Sequence, residues 1–283
     1  MPKKMQVSAP DEQALYENAL NTINLASKIP FVKVDRTAFL KERFEGSPYL
    51  DEILRLGPQA VYSQATLRKH AKKVVASNTT KTAAVSFASG IPSNILMMIP
   101  AGAADVVQYF GFVMRMAQQI AYLYGEDELF EPKGASGLSD DAKIRVMAYL
   151  GGMFGAAGAA ALIANTSQKV GAQIGKKVAG KALTKTFWYP ILKKTGTMLG
   201  AEVTKKTVEK TITKAVPVLG GAVSGGIAWA SFRPMGNRLI DVFERQLNGE
   251  FDDIDELSPE FADKLESESA ELPVIDGEIV SGE

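Results

Sequence analysis

Residues 100–125, PAGAADVVQYFGFVMRMAQQIAYLYG, decide how the chain folds. Between Lys81 and Arg115 the only charged residue is Asp105, so this stretch belongs inside protein or inside lipid. Pro92 and Pro100 cut it up. A helix that crosses a bilayer needs about 20 consecutive apolar residues, and the interruptions leave one good helix, from about Ala103 to Tyr124, with Gly125 placed to close it. A carboxylate on such a helix must be paired or hydrogen-bonded. Arg115, Arg233 and Arg238 are the candidate partners of Asp105, and the expectation is a structural ion pair of Asp105 with Arg115 and Arg233 that joins the two most apolar regions.

N-terminal to this stretch, Ala14, Leu15, Ala19, Leu20, Ile23 and Ala26 recur at helical spacing and predict a helix over 11–29 that Pro30 ends. Residues 36–57, broken by Gly46 and Pro48, predict two short helices. Pro58 suits the first turn of a helix running to about Ala76, with Arg68, Lys69, Lys72 and Lys73 on its basic face. C-terminal to the stretch, Glu126–Leu138 is polar, carries Pro132, Gly134 and Gly137, and reads as an exposed loop. Ser139-Asp140-Asp141 is a good helix start, a capping hydroxyl followed by two acids at the positive end of the dipole. That helix is expected to run past Ala164, with small residues at Gly151, Gly155 and Ala159 allowing close approach of another backbone. A second small-residue helix, Ala215–Phe232, continues through Arg233-Pro234 into an amphipathic end carrying Leu239, Ile240, Val242 and Phe243.

Strand alternation is absent from the pattern and the glycine spacings are irregular, which argues against a sheet protein and a solenoid. The fold expected is all-α, a compact multi-helix bundle with closely packed Gly/Ala-rich core helices. Its organisation is read as an N-terminal helical segment (1–57) packing on a main helical domain (58–248), followed by an acidic, largely disordered tail (249–283).

The 283 residues suffice for one large domain or two ordinary ones. The absence of cysteine excludes disulfides, thiolate zinc sites and a cysteine nucleophile, and fits a reducing compartment. The basic N-terminus is followed by no apolar run of the signal-peptide kind, so the expected location is cytoplasmic, peripheral at the inner face of the cell membrane. Net charge is zero, with 32 basic and 32 acidic residues, but the signs are segregated. Residues 249–283 hold 13 acids against Lys264 alone, leaving 31 basic and 19 acidic residues before them, a net charge of +12. A body of that charge is drawn to anionic surfaces. Its most basic part, residues 166–214, has 11 lysines and two acids. Within it Phe187, Trp188 and Tyr189 form an aromatic cluster of the kind that sits at a lipid headgroup boundary. The residues expected to meet a membrane or other anionic surface are Lys169, Lys176, Lys177, Lys181, Lys185, Phe187, Trp188, Tyr189, Lys193 and Lys194.

Catalytic patterns are missing. The single histidine, His70, lies on a basic helix without companion ligands, so no metal site or histidine-based catalysis is expected. Gly171–Lys177 lacks the hydroxyl of a phosphate-binding loop, and 221–225, with Ser224, lacks the spacing of a nucleophile elbow. Glu126-Asp127-Glu128 reads as a solvated loop and Asp140-Asp141 as a helix start. No enzyme activity, cofactor or metal is expected.

The 100–105 segment, followed by a helix that carries Arg115 and closes on Tyr122-Leu-Tyr124-Gly125, resembles the EcsC family of bacterial proteins. So does the later Ala215–Gly226 segment with Arg233 and Gly236 downstream, and the resemblance spans about residues 60–245. The family is named for a member encoded beside the subunits of an ABC exporter. The resemblance implies association with membrane or secretion processes, and no reaction or catalytic residue.

The function expected is therefore that of a non-enzymatic, membrane-associated accessory or binding protein, with an anionic membrane surface or membrane complex as partner. The alternatives are a membrane-inserting protein whose Gly/Ala-rich helices, 146–168 and 215–232, enter the bilayer, or a soluble protein-interaction module. A nucleic-acid binder could use the same basic body, but the sequence has no recognition helix, zinc module or stacking platform.

Overall fold

The computed structural model describes residues 12–84, 104–130, 138–156, 158–166, 195–201 and 220–250. All regular structure among them is helical, and the helices pack against one another. In chain order they are α1 (Glu12–Ser27), α2 (Arg36–Arg43), α3 (Leu50–Leu56), α4 (Gln64–Ala84), α5 (Ala104–Leu123), α6 (Asp140–Phe154), α7 (Ala159–Thr166) and α8 (Gly220–Asn248). Two 3-10 turns, Pro30–Val32 and Pro58–Ala60, precede α2 and α4, and a helical segment covers 195–201.

The central element is α5, the helix of the decisive stretch. Val106, Val107, Tyr109, Phe110, Val113, Met114, Ala117, Ile120, Ala121 and Leu123 are all buried, and they point in every direction around its axis. An all-round apolar helix must be enclosed. Here α1, α2, α4, α6, α8 and both 3-10 turns enclose it, so this region lies inside protein.

α4 and α8 form the most extensive helix pair, and their side chains match in antiparallel register. Gln64 Nε2 donates to Asn248 Oδ1, Arg68 pairs with Asp241 at 2.7 Å and with Glu244, and Val75 lies over Gly236. A Cβ at Gly236 would stand 2.5 Å from Val75 Cγ2, a separation that only glycine permits. Pro234, inside α8, is exposed.

Several expected boundaries move. Gly125, with φ +94°, closes α5 as expected, and the Ser139 hydroxyl caps α6 by accepting from the Ala142 N–H at 3.3 Å. The helix that starts there stops at Phe154 instead of running past Ala164. Gly155 takes the left-handed conformation at φ +79° and Gly158 does so at φ +78°, and α7 begins only after them. Gly155 is thus a helix terminator and no packing notch, whereas Gly151 is a true one, since a Cβ there would meet Thr195 Cγ2 at 2.8 Å. Pro58 opens a 3-10 turn, and the basic helix begins six residues later, at Gln64, and reaches Ala84. The expected acidic tail, except Gly249 and Glu250, lies outside the described residues, as do the side chains of 215–230.

Replacing Gly236 by Ala is expected to lower stability by about 1–3 kcal/mol, the usual cost of overpacking beside a stiff β-branched neighbour. Urea denaturation checks this, and the double variant Gly236→Ala, Val75→Ala is expected to regain part of the loss.

Candidate functional site

The residues expected to bind an anionic surface, Lys169, Lys176, Lys177, Lys181, Lys185, Phe187, Trp188, Tyr189, Lys193 and Lys194, lie outside the described residues. So does the Asp105 side chain, although its backbone belongs to α5. Of its expected partners, Arg115 donates from Nη1 to the carbonyl oxygens of Phe31 and Lys33, which pins the 3-10 turn to α5. Arg233 is on the exposed side of α8. Arg238 donates to the Met153 carbonyl at 3.4 Å. Arg115 and Arg238 thus take backbone carbonyls at two helix junctions.

Among the described residues the structure builds two clusters, of which the sequence pattern announces only the basic face of α4. The first surrounds the loop after α5. Glu126, expected in an exposed loop, is 3% exposed. Its Oε2 accepts from the Tyr149 hydroxyl at 3.0 Å and from Arg145 Nη2 at 3.4 Å. Arg145 also donates to the carbonyls of Asp127 (2.8 Å) and Glu128 (3.3 Å). From the other side, Arg36 donates through Nε to the Glu126 carbonyl and through Nη1 to the Leu54 carbonyl, both at 2.9 Å. Glu128 accepts from the Arg36 N–H at 2.7 Å and from the Tyr122 hydroxyl at 2.9 Å. Two guanidinium groups therefore hold three consecutive loop residues, Glu126, Asp127 and Glu128, between them.

The loop folds inward because acids are followed by apolar side chains. Leu129 and Phe130 are buried, and Glu126 is drawn in with them and must find partners, while Glu128 stays at the surface. Burial, reinforced by Glu128, pushes the Tyr122 hydroxyl well above its usual range, and burial also raises Tyr149. Both stay neutral donors. With Glu126, Arg145 and Tyr149 all buried, the cluster offers no surface to a substrate, and its role is to fasten α2, α5 and α6 around the loop.

The second cluster is open to solvent. On α4, Lys69, Lys72 and Lys73 are exposed, and among the described residues no ion pair engages them. His70 lies between them, half-buried. Its ring centroid is 4.8 Å from Phe44 and 6.3 Å from Tyr62, and Phe44 and Tyr62 stack at 5.3 Å. Burial first, and then the charges of Arg43, Lys73 and Lys69, hold the imidazole below its usual pKa. Proximity of like charges is the mark of this surface.

Among the described residues no group of His, Asp and Glu could hold a metal ion, and no helix is long and apolar enough to cross a membrane. No family model, curated protein or solved structure matches the chain.

Two tests address the buried cluster. Arg145→Met, which strands Glu126 without its cation, is expected to cost about 3–5 kcal/mol in urea denaturation. Because burial raises Tyr122 and Tyr149 in the folded protein, the folded state holds protons that the unfolded state releases. Their contribution is complete below about pH 10, the ordinary tyrosine value, and falls as pH rises above it. In an alkaline titration, ionisation of the buried Tyr122 and Tyr149 is expected to coincide with loss of helical circular dichroism, and Tyr149→Phe is expected to flatten the fall of stability with pH.

Proposed function

We propose that this chain is a non-enzymatic accessory protein, a relative of the EcsC proteins, that binds peripherally to the anionic inner face of the cell membrane or to a membrane complex there. The observation that carries the reading is the exposed Lys69–Lys72–Lys73 face of α4, which no carboxylate among the described residues neutralises. The same sign of charge dominates residues 166–214. Each lysine near an anionic leaflet contributes about 1 kcal/mol, so a handful from these two regions gives useful binding. The aromatic residues Phe187, Trp188 and Tyr189 would sit at headgroup level.

Peripheral binding by charge has a distinct salt signature, because screening shortens the reach of exposed charges to about 8 Å at physiological ionic strength. In co-sedimentation with vesicles, the protein is expected to pellet with anionic but not neutral lipid, and to be released by high salt. Replacing Lys176, Lys177, Lys181 and Lys185 with Gln is expected to weaken pelleting, and adding Lys69→Gln, Lys72→Gln and Lys73→Gln to abolish it. Pelleting that survives an alkaline wash would point to insertion instead. No pelleting on any vesicle would sink the membrane reading.

A further inference from the structure

We propose that Arg43, Lys69, His70 and Lys73, where the end of α2 meets α4, form a receptor for a phosphomonoester headgroup of an anionic lipid. This rests on the membrane reading above and names the lipid chemistry it uses.

The site has two walls. α4 supplies Lys69 and Lys73, one helical turn apart and therefore neighbours on its surface, with His70 adjoining both. α2 supplies Arg43 in its last turn, with the guanidinium carbon 5.9 Å from the Phe39 ring centroid, and Phe44 follows at the C-cap, against the imidazole. The rings of Phe44 and Tyr62 set the plane of His70. Tyr62 is fixed in turn by a 2.8 Å hydrogen bond between its hydroxyl and Ser47 Oγ. The buried Nδ1 of His70 has no partner. Protonating it would bury an unsatisfied N–H, so the neutral tautomer carries its proton on Nε2, the nitrogen through which the ring can donate to a ligand.

Charge selects the ligand. Three cations act on one imidazole, and among the described residues the carboxylate of Glu42 acts on Arg43 while none acts on His70. A phosphodiester brings one negative charge, whereas a phosphomonoester brings about −1.5 to −2 near neutral pH and three acceptor oxygens. The second better matches three cations and a neutral N–H donor. The neighbouring surface argues for a lipid source over free phosphate. Tyr49, 51% exposed, lies two residues after Ser47, whose Oγ holds the Tyr62 hydroxyl, so the segment that fixes this wall of the site also carries an uncovered aromatic, as suits a headgroup boundary.

The test uses the full chain and its single histidine. Vesicles of neutral lipid are doped with phosphatidate or with phosphatidylserine to the same surface charge, and binding is compared for wild type, Lys69→Gln, and Arg43→Gln with Lys73→Gln. In parallel, the His70 ring resonances are titrated with pH in the presence of glycerol phosphate, of inorganic phosphate and of neither. Phosphatidate vesicles are expected to bind about tenfold more tightly than phosphatidylserine vesicles, the worth of one further charge-assisted contact. The double variant is expected to lose that preference while still binding phosphatidylserine. Lys69→Gln, at an exposed position where folding is not at risk, is expected to lose part of it. Glycerol phosphate is expected to raise the His70 pKa. Equal binding to both lipids overturns the site and leaves the membrane reading intact, as does a preference that persists in the double variant. A His70 response to soluble phosphate without any lipid preference overturns the lipid source. Failure to bind any vesicle removes both proposals.

Discussion

Water will not tolerate a helix that is apolar on every side, and α5 sets that requirement for the whole protein. Its buried residues face every direction, so one layer of neighbours cannot suffice. The remaining helices are arranged to meet this need, with α1 and α2 on the side of the N-terminal turn, and α4, α6 and α8 completing the enclosure. Enclosure brings polar obligations with it. Gln118, 1% exposed on α5, accepts from the Val34 N–H and donates to the Val32 carbonyl, while Arg115 takes the Phe31 and Lys33 carbonyls. The segment between α1 and α2 has few backbone partners of its own, and α5 provides them.

The same logic explains the buried charges. A chain that leaves a central helix must turn within the protein before it can reach solvent, and its backbone carbonyls need donors there. Arg36 and Arg145 supply them from opposite sides, with Glu126 balancing the charge of Arg145. Such an arrangement is weak as a source of net stability, since desolvation opposes the attraction, yet it strongly disfavours any packing that separates the partners. The loop is fixed more by the cost of its alternatives than by the strength of its bonds.

What the sequence made legible follows from how local each signal is. The length of α5, its closure at Gly125, the Ser139 cap, and the continuation of α8 through Pro234 all depend on residues within a turn or two. Gly155 was ambiguous for a local reason too, because glycine serves equally as a packing notch within a helix and as its left-handed terminus. The Glu126 cluster was not legible. Arg36 lies 90 residues from the carbonyl it holds, and three acids in a row look solvated unless one knows what encloses them. The available clue was Arg145, a lone cation among Ile144, Val146, Met147 and Ala148, one turn before Tyr149. Likewise the aromatic setting of His70 needs Phe44 and Tyr62, which reach it from α2 and from the turn before α4.

The antiparallel register of α4 and α8 also bears on how the protein is made. Arg68 and Glu244 are 176 residues apart, and Gln64 and Asn248 are 184 apart. At about 5–20 residues per second, a ribosome needs on the order of ten seconds or more to deliver the second partner after the first. During that interval the inner face of α4, with Leu67, Ala71, Val74 and Val75, has no α8 to cover it. Closing so wide a loop is entropically unfavourable and slow compared with local helix formation. The exposed interval is therefore the period in which chaperone capture or misassociation competes with folding.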